Sequence, residues 1–445
     1  MTWVALGLLA MMTFLLVWHY VRPVSRTPWW LLWLVLMLPG LVVGWWVYLY
    51  GHQRPLPSVL VAGPFILSGL LYLLLMQQNG RLQSIIPSSL TPSLWQPEDL
   101  AGLRQCFPSD VYALQRLEPQ GDIVICRGRL RMDAAQAYRV VQQQVEARWG
   151  QRFWLLLECL SNHQPVFMVI PRQPVRPSTS VWFIGTASWG LGIVLLGIMP
   201  APWPKVEPIL YTAGMVSILL AREIGQRWVL RRYGVPVAWP WCLPLLFWPG
   251  VVGTYSQMQA LLPHRQAAVD RTLAGVAGSL AVALPLLAWG LAHSHWASGG
   301  LSPEYSLLLW GMCRLVWGRE WPLDMGLHLH PLAAAALTGL GLVALQLVPV
   351  GRLDGGRLLQ GLLGRRAAGM GGWVAKGLLL LVAWRLQPWL WGWAILLCFI
   401  PTLPPPVLND LTEPNHWRDG FAIATWGLAL AIILPAPFGG AMPGW

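Results

Sequence analysis

Two short stretches bring ionisable side chains into strongly apolar surroundings. The first, Ala221-Arg222-Glu223-Ile224-Gly225-Gln226-Arg227, closes one hydrophobic run. The second, Gln346-Leu347-Val348-Pro349-Val350-Gly351-Arg352-Leu353-Asp354-Gly355-Gly356-Arg357, closes another far downstream. Charged groups at membrane depth are expensive, and they pair with one another or serve a function. Glu223 and Asp354 are carboxylates of the kind that move protons or bind metal. Arg222 and Gln226 stand four residues apart, which places them on one helix face. Arg222 stays protonated in any protein environment and brings positive charge wherever it sits. Gln226 offers only an amide oxygen, a weak donor for a metal such as zinc. Because lone buried charges need partners, an ion pair of Arg222 with Asp354, with Glu223 nearby, is expected. The competing reading has Arg222 snorkelling to headgroups, as Arg227, Arg231 and Arg232 do, and Gln226 bonding a neighbouring helix. Gly355 and Gly356 read as a turn between helical segments.

Three hydrophobic runs open the chain, at about 2–20, 29–50 and 57–77. Each is near the ~20 residues a helix needs to cross a bilayer. Further runs lie near 180–199, 207–224, 269–292, 331–350, 371–400 and 420–437. The penultimate run splits near Gln387 and Pro388 into two passes. A shorter apolar stretch at 237–262 is broken by Pro240, Pro244 and Pro249, and 307–317 is too short to span. The expected fold is a polytopic α-helical membrane protein of eight or nine passes with an inserted small α+β domain. That domain comes from the polar stretch between the third and fourth runs. Strand-like runs at 110–116, 122–129, 153–159 and 166–170 flank a helical pattern over 133–149, with Asp133 as its N-cap. The organisation is then 1–78 three membrane helices, 79–178 the α+β domain, 179–404 a membrane core, and 405–445 a proline-rich segment with a last membrane helix.

Composition agrees: 56% of the residues are hydrophobic, 11% are charged, and 30 are tryptophan, a residue of membrane interfaces. The net charge of +12 would suit nucleic acid in a soluble protein. No nucleic-acid module accompanies it, and arginine-rich loops facing anionic lipid account for it. Arg22 and Arg26 after the first run put the amino terminus outside and the α+β domain on the cytosolic side. Six cysteines show no metal spacing, and three of them in the polar domain argue against a disulfide framework. The run 2–18 lacks a basic start and a cleavage site and reads as a retained helix.

The stretch from Gln346 to Arg357 resembles the NxxPxxxLDGG element of site-2 proteases, the intramembrane zinc metalloproteases. Residues 222–226 stand where that family carries HExxH. Gly250-Val251-Val252-Gly253-Thr254-Tyr255-Ser256-Gln257, followed by Leu261-Leu262-Pro263-His264-Arg265, resembles the family's re-entrant loop and edge strand. Ala274-Gly275-Val276-Ala277-Gly278 resembles its AGPxAG packing motif without the proline. Pro404-Pro405-Pro406-Val407-Leu408-Asn409-Asp410 and the polar domain, with Leu103-Arg104-Gln105-Cys106-Phe107-Pro108 and Ile125-Cys126-Arg127-Gly128, are similar to the cyanobacterial and plastid branch. That branch is named after ethylene-dependent gravitropism-deficient and yellow-green proteins. The resemblance covers about residues 95–418.

The resemblance implies that Arg222 and Gln226 replace two zinc-binding histidines. It makes Glu223 a vestigial general base and Asp354 a vestigial third ligand. Three ligands and an open water position define a catalytic zinc site, and bound zinc is what brings that water toward neutral pKa. The expected protein is then a pseudoprotease with no cofactor. Its partners are the lipid bilayer and a transmembrane client or membrane-complex subunits, with no nucleic acid. Gly250, Gly253, Thr254 and Gln257 are the client-binding candidates, since an unwound helix adds to such a strand by backbone pairing; a packed hairpin plugging the site is the alternative. The resemblance places the protein in a thylakoid or plasma membrane of a photosynthetic bacterium. A second function stays open: an active metalloprotease whose metal is held by Glu223, Asp354 and a histidine brought in from elsewhere. His264, which follows the edge-strand segment, is the candidate to approach the site, whereas His328 and His330 fall on the opposite membrane side, and His293 and His295 read as loop residues. A transporter is disfavoured because no internal repeat is present.

Overall fold

Long apolar runs form helices here even across a single proline such as Pro285, whereas the run carrying Pro240 and Pro244 gives short strands. The computed structural model describes residues 10, 14, 28–50, 64, 68, 71, 95, 97–120, 123–159, 164–172, 179–198, 207–244, 250–256, 258, 260–318, 325–398 and 400–436. Residues 1–92 and 93–445 form two compact units. In the first, the run expected at 29–50 is helix α1 (Trp29–Tyr50), and Ser68 Oγ donates to Val35 O at 2.7 Å. The runs expected at 2–20 and 57–77 lie almost wholly outside the described residues.

In the second unit the polar stretch begins with α2 (Pro97–Gln105), which sequence patterning did not mark, and continues with β1 (Tyr112–Gln120) and β2 (Ile123–Leu130). Helix α3 (Ala134–Trp149) and strands β3 (Phe153–Cys159) and β4 (Pro165–Pro171) complete it. Asp133 caps α3, accepting from Ala135 N at 3.0 Å and Gln136 N at 3.4 Å. This satisfies amide groups that the first helical turn leaves without partners. The strands form an antiparallel sheet of order β1-β2-β4-β3. Its core includes Tyr112, Phe107, Phe167, Val141 and Leu157. All six cysteines are unbonded.

The helical core follows: α4 (Thr179–Ile198), α5 (Pro208–Arg232), α6 (Arg265–Ala292), α7 (Leu307–Trp317), α8 (Pro331–Gln346), α9 (Asp354–Leu363), α10 (Arg365–Arg385), α11 (Trp391–Cys398) and α12 (His416–Ile433). Among the described residues, α6 and α10 are long and apolar enough to cross a membrane. Helix α5 has the length, with 25 residues, but Arg222 and Glu223 interrupt its apolar run. Helices α10 and α11 divide near Gln387, where a short 3₁₀ turn (Pro388–Leu390) intervenes. The proline-broken stretch yields hairpin strands β5 (Trp241–Pro244) and β6 (Val251–Tyr255), paired with Cys242 opposite Thr254. At the end of α6 remote from Arg265, β7 (His295–Ala297) and β8 (Gly326–His328) pair, stacking the His295 and His328 rings 5.1 Å apart. Sequence patterning read His293 and His295 as loop residues and set His328 and His330 before a span on the side opposite the charged motifs, without pairing the two segments.

Helices α5 and α6 approach until a Cβ added at Gly225 would sit 2.3 Å from Ala274 O, and one at Gly278 2.4 Å from Ala221 O. The Ala-Gly-Val-Ala-Gly motif therefore acts as a close-contact face, bringing α6 against the turn of α5 that carries Arg222 to Gln226. Gly355 and Gly356 lie in the first turn of α9, not in the preceding loop as expected. Their lack of side chains admits the chain turn above them, since a Cβ at Gly355 would meet Leu347 O at 1.9 Å.

The α+β domain joins this core through residues 408–410. Leu157 N donates to Leu408 O at 2.8 Å, and Asp410 N donates to Leu157 O at 3.0 Å, extending the sheet beyond β3. On its other side the same segment takes Leu408 N→Leu262 O at 2.8 Å and Asn409 N→Pro263 O at 3.1 Å. Arg365 adds a bidentate contact, both Glu158 carboxylate oxygens lying 3.0 Å from its Nη1. Asp410 Oδ2 accepts from Arg365 N at 2.9 Å, capping α10.

Burial lifts the Glu158 carboxyl above its ordinary value, against the opposing pull of Arg365. A carboxyl raised in the folded state contributes stability that is present at low pH and lost as pH rises through the folded value. Arg365→Ala removes the opposing cation and leaves Glu158 half-buried without it. The variant is predicted to lose roughly 3 kcal/mol at pH 8 and progressively less as pH falls, since protonation of Glu158 removes the uncompensated charge. Thermal unfolding in detergent at pH 8 and at pH 5 checks this; equal losses would mean the pair does not hold the domain.

Candidate functional site

The site is built from one turn of α5, the end of β6, one turn of α6 and the start of α9. Arg222, Glu223, Gln226 and Asp354 are buried, none more than 6% exposed. Because Arg222 and Gln226 are a helical turn apart, both reach the same carboxylate oxygen. Arg222 Nη2 bonds Asp354 Oδ2, and Gln226 Nε2 donates to that oxygen at 3.2 Å. Arg222 thus points into the protein and not to headgroups. Asp354 is also the first residue of α9, where the positive end of the helix dipole favours an anion.

Glu223 faces the hairpin. Thr254 Oγ1 donates to Glu223 Oε1 at 2.5 Å and accepts from Arg222 Nη1 at 3.1 Å. Ser256 Oγ donates to Glu223 Oε2, and Arg222 Nη1 lies 3.4 Å from Oε1. Thr254, expected as a client-binding residue, is therefore committed to the buried charge cluster. Gly250 precedes β6 and Gly253 lies on it against Gln346, whose Nε2 is 3.5 Å from Val252 O. Gln257 lies outside the described residues.

Two further groups escaped the sequence reading. Ser256 sits within the stretch singled out there, but nothing in its type distinguishes it from a loop serine. Arg271 of α6 donates from Nη2 to Gln226 Oε1 at 2.8 Å. A signal for Arg271 did exist: a guanidinium inside an otherwise apolar helix is a candidate for function on cost alone. His264 sits apart from these residues. Its Nδ1 accepts from Ala267 N at 3.3 Å as the α6 N-cap, and its ring meets Tyr233 edge-on at 5.3 Å.

These side chains do not fit zinc. Arg222 and Gln226 carry N–H groups aimed at Asp354, and Asp354 Oδ2 accepts from both. Gln226 Oε1, the one amide lone-pair donor, is taken by Arg271. Both Glu223 oxygens accept hydrogen bonds. Among the described residues no three His, Cys, Asp or Glu side chains are placed to share a metal. What the arrangement does is hold charges: a hydrogen-bonded ionic cluster linking α5, α9 and the hairpin.

Residues 101–177 match the family model described as EGY3 middle domain. Over 364 residues the chain is 28% identical to a rice (Oryza sativa subsp. indica) protein named probable zinc metalloprotease EGY2, chloroplastic, covering 75% of this chain and 66% of the relative. It is 31% identical over 244 residues to the Arabidopsis thaliana probable zinc metalloprotease EGY1, chloroplastic, covering 52% of this chain and 43% of the relative. A third relative, the Arabidopsis probable zinc metallopeptidase EGY3, chloroplastic, is 25% identical over 385 residues, covering 75% and 64%. The chain thus spans just under two thirds of the rice relative and less of the other two. No solved structure matches.

Thr254→Val keeps the side-chain shape and removes the hydroxyl between Arg222 and Glu223. Leaving those groups short of a partner costs about 1–3 kcal/mol. The expected result is a lowered melting temperature in detergent with no change in oligomeric state; an unchanged melt would show that the hydroxyl carries none of the cluster's stability.

Proposed function

Because the chain is a homologue of the EGY1, EGY2 and EGY3 proteins of the site-2 protease family, we propose that it is a non-catalytic relative of those proteins that binds membrane-protein clients or partner subunits. The observation carrying this reading is the bond from Arg222 to Asp354. In the family's chemistry a metal held at that place lowers the pKa of bound water and stabilises the developing oxyanion. Here a guanidinium holds the aspartate, so the fold keeps its link between helices without a water-activating centre. Glu223 is engaged by two hydroxyls and Arg222 within the cluster, which favours a structural role over that of a general base.

Client binding remains available to the scaffold. Strand β6 pairs with β5 through 251–255, and its second edge meets Gln346. An extended segment of a client laid along that edge would bind through its backbone and leave intact. The wider frame of the proposal is a multi-pass protein of eight or nine spans with the α+β domain on the cytosolic side. The word chloroplastic in the relatives' names favours a photosynthetic membrane of thylakoid or plasma-membrane type. The name zinc metalloprotease borne by those relatives supports the second reading, an enzyme with a non-standard metal site, which the same experiment addresses.

Purification from native membranes in mild detergent, with zinc and co-purifying proteins measured in one sample, tests the proposal. The expected result is zinc far below stoichiometric, unchanged by Asp354→Ala, with intact membrane proteins co-purifying. Stoichiometric zinc lost on Asp354→Ala, together with hydrolysis of a transmembrane peptide, would establish the enzyme instead.

A further inference from the structure

We propose that Arg271 is the second cation of this site, and that with Arg222 it supplies the positive charge a divalent ion would bring, so that it excludes metal independently of the lost histidines. This rests on the non-catalytic reading of the site. Arg271 lies on α6, seventh in a helix of 28 residues, and is 5% exposed. Its Nη2 donates to Gln226, while its Nε and Nη1 are buried without acceptors. A guanidinium in that state is costly unless surrounding charge compensates. Asp354 and Glu223 attract Arg271 and Arg222 repels it, so the neighbouring carboxylates offset part of that cost.

The charge count explains why the arrangement is tolerated. Arg222 and Arg271 balance Glu223 and Asp354, leaving the buried cluster neutral. A dication held by two neutral imidazoles and an aspartate beside a glutamate has the same net charge. Replacing Arg222 alone by histidine removes one positive charge, and a dication then adds two while Arg271 remains. The site would carry an excess positive charge where little water can screen it. Arg271 also bonds the residue at the second histidine position. An imidazole placed there would face guanidinium N–H groups that compete for its lone pair. Two imidazoles are therefore not enough to restore a metal site in this chain. Arg271 must be removed as well.

The test compares zinc content and zinc-dependent melting in four forms of the full-length protein, purified in detergent and dialysed against zinc. These are the wild type, Arg222→His/Gln226→His, the same double variant with Arg271→Ala, and the double variant with Arg271→Lys. The wild type and the double variant are expected to retain little zinc. The Arg271→Ala triple variant should bind zinc at least about tenfold more tightly than the double variant and melt at a higher temperature when zinc is present. The Arg271→Lys triple variant should behave as the double variant, because the charge is kept while the shape changes. If Arg271→Ala fails to fold, Arg271→Met carries the same comparison with more of the side-chain volume retained. Equal zinc affinity in the double and triple variants, whether high or low, overturns the inference. Stoichiometric zinc in the wild type would instead overturn the non-catalytic reading, so the two failures are distinguishable.

Discussion

One contact organises the helical core: a guanidinium on α5 bonded to a carboxylate at the start of α9, both buried. Taking two such groups out of water is expensive, and their mutual attraction offsets that cost only when geometry is good and remaining polar atoms find partners. Here most do. Asp354 accepts from Arg222 and Gln226 and lies at a helix amino terminus. Glu223 accepts from Thr254 and Ser256. Gln226 uses both ends of its amide. Breaking such a pair by removing one partner is costly, typically about 3–5 kcal/mol, because the other is stranded. That asymmetry explains how a salt bridge can hold together elements that a coordinated metal holds in another setting.

The rest of the core is arranged so that these few side chains meet. Close approach of α5 and α6 through Gly225 and Gly278 brings Arg271 onto Gln226. The hairpin of β5 and β6 supplies hydroxyl donors from a segment that prolines keep out of helical form. Buried charges elsewhere obey the same logic. Lys376 on α10 donates to Cys398 O at 3.1 Å and Ile400 O at 2.6 Å, filling carbonyls that the end of α11 leaves open. Arg418 on α12 grips Asp270 of α6 at 2.6 and 2.9 Å. Residues 408–410 serve as a shared strand, bonded to β3 on one side and to 262–263 on the other. The Pro-Pro-Pro run before them cannot continue a helix, and so delivers extended backbone at the place where the α+β domain needs an edge partner.

Much of this was legible beforehand because each feature had a local cause. The four strands and α3 followed from patterning and from Asp133 as a cap. The ionic nature of the cluster followed from Arg222, which cannot lose its proton. What stayed hidden was set by tertiary approach. Nothing in the run Val269-Asp270-Arg271-Thr272 says that Arg271, not Asp270, faces Gln226; helix rotation decides that, and the glycine contacts fix the rotation. Thr254 and Ser256 turn inward because β6 lies against α5, a fact without a sequence signature. Strands β7 and β8 are three residues each, too short for alternation to show. The glycines after Asp354 were rightly noticed and given the wrong place, since close approach and chain reversal demand the same residue type.

The most direct test of this account is a double-mutant cycle on stability in detergent, using Arg222→Ala, Asp354→Ala and the two combined. If the guanidinium and the carboxylate hold each other inside the core, the coupling energy will be about 2–3 kcal/mol, with the combined variant less damaged than the sum of the single ones. Additive losses, with a coupling near zero, would show that the two groups stand side by side without binding, and would contradict the claim that an ion pair occupies the place of the metal.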